Sequence, residues 1–391
     1  MAKALVLAGG GARGSYQVGV WRALAELGWR PGIITGTSVG CLNGAMFALD
    51  MYEVARDMWL SISSDDVMVL PPQASAGERG AFLQAVVRGG GLDVAPLERI
   101  VEQVADEQAL RAAPVRLGLV TVEMRTLRPR ELAIDEIPAG RLKDYLLASA
   151  ACFPAFRPRD IDGEAFIDGG YSDNMPVGLA ARMGATELVT VDVDGVGVTR
   201  PDFTGLPVIR IHSHWGLGDI LRFEPAVARR NMALGYLDAY RAFGRLRGTA
   251  YGVRRQPGKA AERYFVQPYA RVMRAVLRRR PALALTEKLA LTVFGAGSDL
   301  PLAPLELAAK QAGGDPTQAY TARQLGEAFL RRYDAEMAAR LWPLFGDMPG
   351  LEVKEAVLAA MQPAEFVAAA VYRALTGPEP PTWAGPGILG E

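Results

Sequence analysis

An α/β fold on a mainly parallel sheet is what this sequence predicts, and three observations in its first fifty residues carry the expectation. The apolar run Ala4–Ala8 stops abruptly at Gly9-Gly10-Gly11, which reads as a buried strand entering a loop. Ser15–Leu27 then follows helical periodicity, with Val18, Trp21, Leu24 and Ala25 on one stripe and Gly28 closing the helix. A second strand, Ile33-Ile34-Thr35, runs through a glycine turn into another helix over 42–51. Strand and helix therefore alternate as βαβ units require.

The later elements keep this pattern. Helices are predicted over 97–105 and 142–151, and strands over 115–123, 166–167, 188–193 and 208–212, with a hairpin around Asp162-Gly163. Residues 61–92, with Pro71-Pro72 and several glycines, read as a surface excursion, a flap. After about residue 215 the pattern turns helical and rich in Arg and Ala, over 224–246, 264–279, 321–344 and 353–375. The Pro- and Gly-rich tail from 377 reads as extended. The expected division is an α/β domain over 1–214, a helical region over 215–376 and a tail over 377–391.

Composition narrows the function. With 43 basic and 43 acidic side chains there is no basic excess for phosphate backbones, which argues against a nucleic-acid partner. Half the residues are apolar, enough for a large core and too many for disorder. Cys41 and Cys152 lack metal-ligand spacing and read as buried thiols in a reducing compartment. The first apolar run is too short for a signal peptide, and no run of uncharged apolar residues is long enough to span a bilayer. The expected location is cytoplasmic, at most peripheral to a membrane. The best segment for membrane approach is 281–294, preceded by Arg278-Arg279-Arg280, although a core helix fits the same pattern better.

Three short motifs carry chemistry. Gly36-Thr37-Ser38-Val39-Gly40, between a strand and an apolar helix, fits a nucleophile elbow. Ser38 would sit on a sharp turn, with Gly36, Thr37, Val39 and Gly40 forming the bend. Gly9-Gly10-Gly11-Ala12-Arg13-Gly14 satisfies the dinucleotide spacing, but no acidic residue ends the next strand to hold a ribose, and no Gly-Lys-Ser/Thr follows for a phosphate loop. What remains is a nest of backbone N–H groups suited to an oxyanion hole. Arg13 would lock the loop or neutralise charge there.

The third motif is Asp168-Gly169-Gly170. The only histidines, His212 and His214, share one strand face. A Ser–Asp–His triad on an α/β-hydrolase would put the nucleophile after several strands, whereas Ser38 comes too early in the chain for that. Asp168 is thus the leading general base for Ser38.

These three motifs, in this order, resemble the signatures of the patatin-like phospholipases. So do Ala148-Ser-Ala-Ala-Cys-Phe-Pro154, Ile161-Asp-Gly163 and Asp173-Asn-Met-Pro176. The likeness runs over roughly residues 4–200. It implies a three-layer α/β/α core and a Ser38–Asp168 dyad. It also implies an oxyanion hole on Gly9, Gly10, Gly11, Ala12, Arg13 and Gly14, with Gly169 and Gly170 shaping the acidic turn. The implied activity is hydrolysis of acyl esters of membrane phospholipids through an acyl-enzyme, with no cofactor and no metal. An acyltransferase or thioesterase using the same dyad is the alternative. A non-catalytic scaffold protein would have lost a motif residue, and none is lost.

Overall fold

Continuous burial marks the centre of the sheet. In β1 (Ala2–Leu7) and β2 (Ile33–Thr37) successive residues are buried with no alternation, as in parallel strands covered on both faces. The computed structural model describes residues 2–69, 90–256, 264, 267–268, 299, 301–334, 336 and 363–376. The chain divides into two compact units, Met1–Phe243 and Gly244–Glu391.

The first unit holds an eight-stranded sheet with β3 (Arg116–Glu123), β4 (Arg128–Ala133), β5 (Arg159–Ile161), β6 (Glu164–Asp168), β7 (Ala185–Val191) and β8 (Val208–Ile211). Its order is β5-β6-β3-β2-β1-β7-β8, with β4 also on β3. The run β3-β2-β1-β7-β8 is parallel, and β4, β5 and β6 are antiparallel. β4 escaped the sequence reading because it is a polar strand whose Pro129 breaks the pattern.

The unit's described α-helices are α1 (Ser15–Glu26), α2 (Val39–Ala48), α3 (Tyr52–Ser61), α4 (Ala95–Val104), α5 (Glu107–Ala112), α6 (Leu142–Ser149), α7 (Val177–Arg182) and α8 (Pro225–Ala242). Adjacent residues of β3 show the layering. Leu117 lies against Gly44 of α2, whereas Gly118 lies against Leu179 and Met183 at α7. Neighbouring strand residues point to opposite faces, so α2 and α7 cover the two sides of the sheet. The expected three layers are present.

One register decides the site. β4 pairs with Gly118–Glu123 and takes one edge of β3. On the other edge β2 pairs with Arg116–Val120, and β6 takes over at Thr121–Glu123. Thr37 therefore faces Val120 while Asp168 faces Thr121, the next residue along. The residue after Thr37 is Ser38.

The first unit runs past the expected boundary at residue 214 because α8 packs tightly on α1. A Cβ on Gly19 would overlap the Met232 carbonyl, and one on Gly235 would overlap that of Tyr16. The Tyr16 hydroxyl donates to buried Asp238 at 2.6 Å, and Asp238 also pairs with Arg241. Two interior glycines facing each other's helix bring the backbones close enough to bury this polar cluster.

The second unit contains α9 (Ala303–Gln311), α10 (Ala322–Arg332) and α11 (Pro363–Thr376). It is not purely helical, as the sequence suggested. Strands β9 (Leu246–Arg247), β10 (Gly252–Arg254) and β11 (Ala319–Tyr320) form a small sheet. Two or three residues are too few to show a period, which is why they were missed. Buried Glu306 accepts from the amides of Thr249, Ala250 and Tyr251, fixing the turn before β10. Most of the expected helix over 264–279, the segment 281–294, most of the excursion over 61–92, residues 337–362 and the tail from 377 lie outside the described residues. No described helix is long and apolar enough to cross a membrane.

Candidate active site

Ser38 ends the β2 turn with φ 55° and ψ −128°, backbone angles that a residue with a Cβ adopts only when its surroundings enforce them. The flanking glycines do the enforcing. A Cβ on Gly36 would overlap the backbone of Gly40, and a Cβ on Gly40 would overlap the Leu7 carbonyl of β1. The spacing of the motif is thus a packing requirement of strand against helix. The Ser38 amide donates to the Ser149 hydroxyl at 3.0 Å, and the Thr37 hydroxyl donates to the Asp173 carbonyl at 2.8 Å. Val39, next in line, starts α2.

Asp168 lies at the end of β6 and is only 5% exposed. Its Oδ1 accepts the Gly170 amide at 2.7 Å, and the Ser38 side chain is close enough to the carboxylate to act on its charge. Burial pushes its pKa up to about 6, against the downward pull of the Ser38 hydroxyl and the Gly170 amide. Gly169 is required by the close approach of the next residue to β3, since a Cβ there would overlap the Val120 carbonyl.

The glycine-rich loop runs from β1 into α1, opposite this pair. Of the six residues expected in an oxyanion hole, three have amides already engaged. Gly9 donates to the Asn174 carbonyl at 3.3 Å, Ala12 to Ile220 at 2.8 Å and Arg13 to Gly10 at 3.2 Å. Gly14 ends a one-turn 3-10 helix, packed beneath Val39, Trp59 and Asn43. The amides of Gly10 and Gly11 donate to no described residue. The Arg13 guanidinium donates to the carbonyls of Gly218 at 2.8 Å, Val193 at 3.4 Å and Asp194, tying the loop to two distant segments.

A buried polar chain supports the loop from within. Trp59 Nε1 donates to Asn43 Oδ1 at 3.0 Å, and Asn43 donates to Gln17 at 2.8 Å and to the Gly14 carbonyl at 3.0 Å. Gln17 in turn donates to the Ala8 carbonyl at 2.7 Å. On the far side Asn174 Nδ2 donates to the Gly9 carbonyl at 3.2 Å. The sequence reading gave none of these residues a role. The available signal was a polar side chain inside an otherwise apolar or small-residue run, as at Gln17, Asn43, Ser149 and Asn174.

Ser38, Asp168, Gly10 and Gly11 open onto a cavity of about 350 Å³. Its described walls are mostly apolar. Leu42 and Met46 of α2, Leu97, Ile100, Val101 and Val104 of α4, and Leu146 of α6 contribute to them. The α4 residues recur at helical spacing and present one apolar stripe. Cys152 also lines the cavity, and burial pushes its thiol up to about 11, so it is protonated at neutral pH. His212 and His214 are exposed just beyond β8, their rings 4.7 Å apart, and neither belongs to the cavity wall.

Residues 5–181 match the family model for patatin-like phospholipases, covering both Ser38 and Asp168. This segment is a patatin-like phospholipase domain. Patatin-like phospholipase domain-containing protein 7 of Rattus norvegicus is 29% identical over 198 residues, 49% of this chain and 13% of its own. The lysophospholipase nte1 of Aspergillus terreus is 28% identical over 208 residues, 51% of this chain and 12% of its own. The patatin-like domain thus aligns with about an eighth of the length of these curated relatives. VipD from Legionella pneumophila covers 96% of this chain and 91% of its own at 13% identity and a TM-score of 0.36, too low to carry an argument.

Proposed function

We propose that this protein hydrolyses acyl esters of phospholipids, with Ser38 as nucleophile and Asp168 as its general base. The observation that carries the reading is the register that sets Ser38 beside the buried Asp168 carboxylate, both opening onto one apolar cavity. The names of the family and of the relatives, phospholipases and lysophospholipases, support a lipid substrate.

In the acylation step Ser38 Oγ attacks the ester carbonyl carbon while Asp168 takes its proton. The amides of Gly10 and Gly11 receive the oxyanion, aided by the positive end of α2. Collapse breaks the bond to the leaving alcohol, which takes the proton from Asp168. Water then attacks the acyl-enzyme, giving its proton to Asp168. The fatty acid leaves, and the proton returns to Ser38. An ordinary carboxylate, at about 3.9, is a weak base for an alcohol. Burial narrows that gap, and each oxyanion donor supplies roughly 10²–10³-fold in rate. The apolar wall holds the acyl chain.

The test compares the wild type with Ser38→Ala and Asp168→Asn on a soluble short-chain ester and on phospholipid and lysophospholipid vesicles. A fluorophosphonate should label Ser38 and nothing else. Each single variant should lose nearly all turnover, with the double variant hardly worse, because the two act as a unit. Substantial turnover in either variant, or labelling elsewhere, would overturn the dyad.

A further inference from the structure

Three large hydrophobic side chains stand exposed on the two segments that border the cavity. Val196 is 82% exposed, Val198 51% and Tyr171 48%. They form one patch, because the segment carrying the valines is bonded along the turn that follows Asp168. The Val198 amide donates to the Gly170 carbonyl at 2.8 Å, and the Asn174 amide donates to the Val198 carbonyl at 2.6 Å. Tyr171 and Val196 also line the cavity, so the patch continues its apolar wall out to the surface.

Such residues are not needed outside for folding. An exposed apolar cluster bordering a binding cleft marks a contact surface. The charges of the same loop point to the kind of surface. Asp192, Asp194 and Asp202 stand against a single cation, Arg200. Arg200 donates to Glu131 at 2.7 Å and to Ser172, and Asp202 caps Thr204 at 2.9 Å. The loop therefore offers no unpaired cation to an anionic surface.

We propose that the Tyr171–Val196–Val198 rim inserts into the interface of a zwitterionic phospholipid bilayer. An acyl chain would then pass from bilayer to cavity without crossing water. The cargo rests on the lipid-ester reading above, but the docking itself is measured separately.

The experiment uses the full chain carrying Ser38→Ala, so that vesicles stay intact, and flotation with phosphatidylcholine vesicles. The protein should float with the vesicles. Adding Val198→Asp should weaken partition roughly tenfold or more, the scale set by losing one inserted valine. Phosphatidylserine should give no gain, and added salt no loss. Val196→Trp should show emission quenched by brominated acyl chains beyond that of the parent. In the chain with Ser38 intact, Val198→Asp should leave turnover of a soluble ester unchanged while turnover of vesicle phospholipid falls. Unchanged partition of the Val198→Asp protein, or no added quenching in the Val196→Trp protein, overturns the proposal. So does binding confined to anionic vesicles. If Val198→Asp instead converts a dimer to a monomer in ultracentrifugation, the patch is covered by a second copy and the proposal fails. A chain that floats normally yet cleaves no ester would sink the hydrolase reading and leave the docking face standing.

Discussion

Replacing Asp168 with Asn separates what the buried carboxylate does as the proposed general base from what it does to stability. Burial holds the native acid near 6, against an ordinary value of 3.8. Between those values the native state keeps a proton that the unfolded chain has released, so stability falls as pH rises through the window. The gap of about two pH units corresponds to about 3 kcal/mol, fully opposing the fold above pH 6. Asparagine is nearly isosteric, carries no charge, and its carbonyl can still accept from the Gly170 amide. Asp168→Asn should therefore melt roughly 5 °C or more above the wild type at pH 7. The difference should vanish below about pH 4. In the wild type, kcat/KM on a soluble ester should fall about tenfold per pH unit below about 6, as the base is protonated. Asp173 is also held near 6 by burial, so Asp173→Asn is the control, and the limb should survive it. A pH-independent kcat/KM between 5 and 8, or an Asp168→Asn protein melting below the wild type at pH 7, would falsify the account.

Other outcomes follow from the same packing. Gly10→Ala should lower turnover far more than affinity, because its Cβ would lie 2.5 Å from Val193 Cγ2 and push the loop aside. Adding Val193→Ala should restore much of that loss, and no recovery in kinetics of the double variant would mean the loop acts otherwise. Gly40→Ala should unfold the first unit or cost several kcal/mol by denaturant titration, as overpacking against backbone does. Gly178→Ala, exposed in α7 with nothing within 4 Å of the new Cβ, should instead stabilise by about 0.5–1 kcal/mol. His212→Ala with His214→Ala should leave kcat within a few-fold of the wild type, and a loss of several powers of ten would restore a histidine to the mechanism.

The sequence by itself determined what depends on near neighbours in the chain. Strand β1, the glycine loop, α1, β2, the elbow at Ser38 and α2 form one continuous stretch, so backbone angles and hydrophobic period announce them. Gly28 ends α1 at φ 70°, and Asp162-Gly163 turn the β5–β6 hairpin at positive φ, as their residue types suggest. The residues of the proposed dyad were legible as motifs, but their meeting was not. Ser38 and Asp168 lie 130 positions apart, and what joins them is the edge of β3 that β2 leaves free at Thr121. Only tertiary structure shows which amides of the loop remain unpaired, because their partners at Asn174 and Ile220 come from distant segments. The unit boundary has the same cause. Gly19 and Gly235 look like weak points in two separate helices until the helices are seen to touch there. Local periodicity reports which face of an element seeks burial. Which element answers it depends on pairings that close long loops, and a single sequence holds no local signal for those.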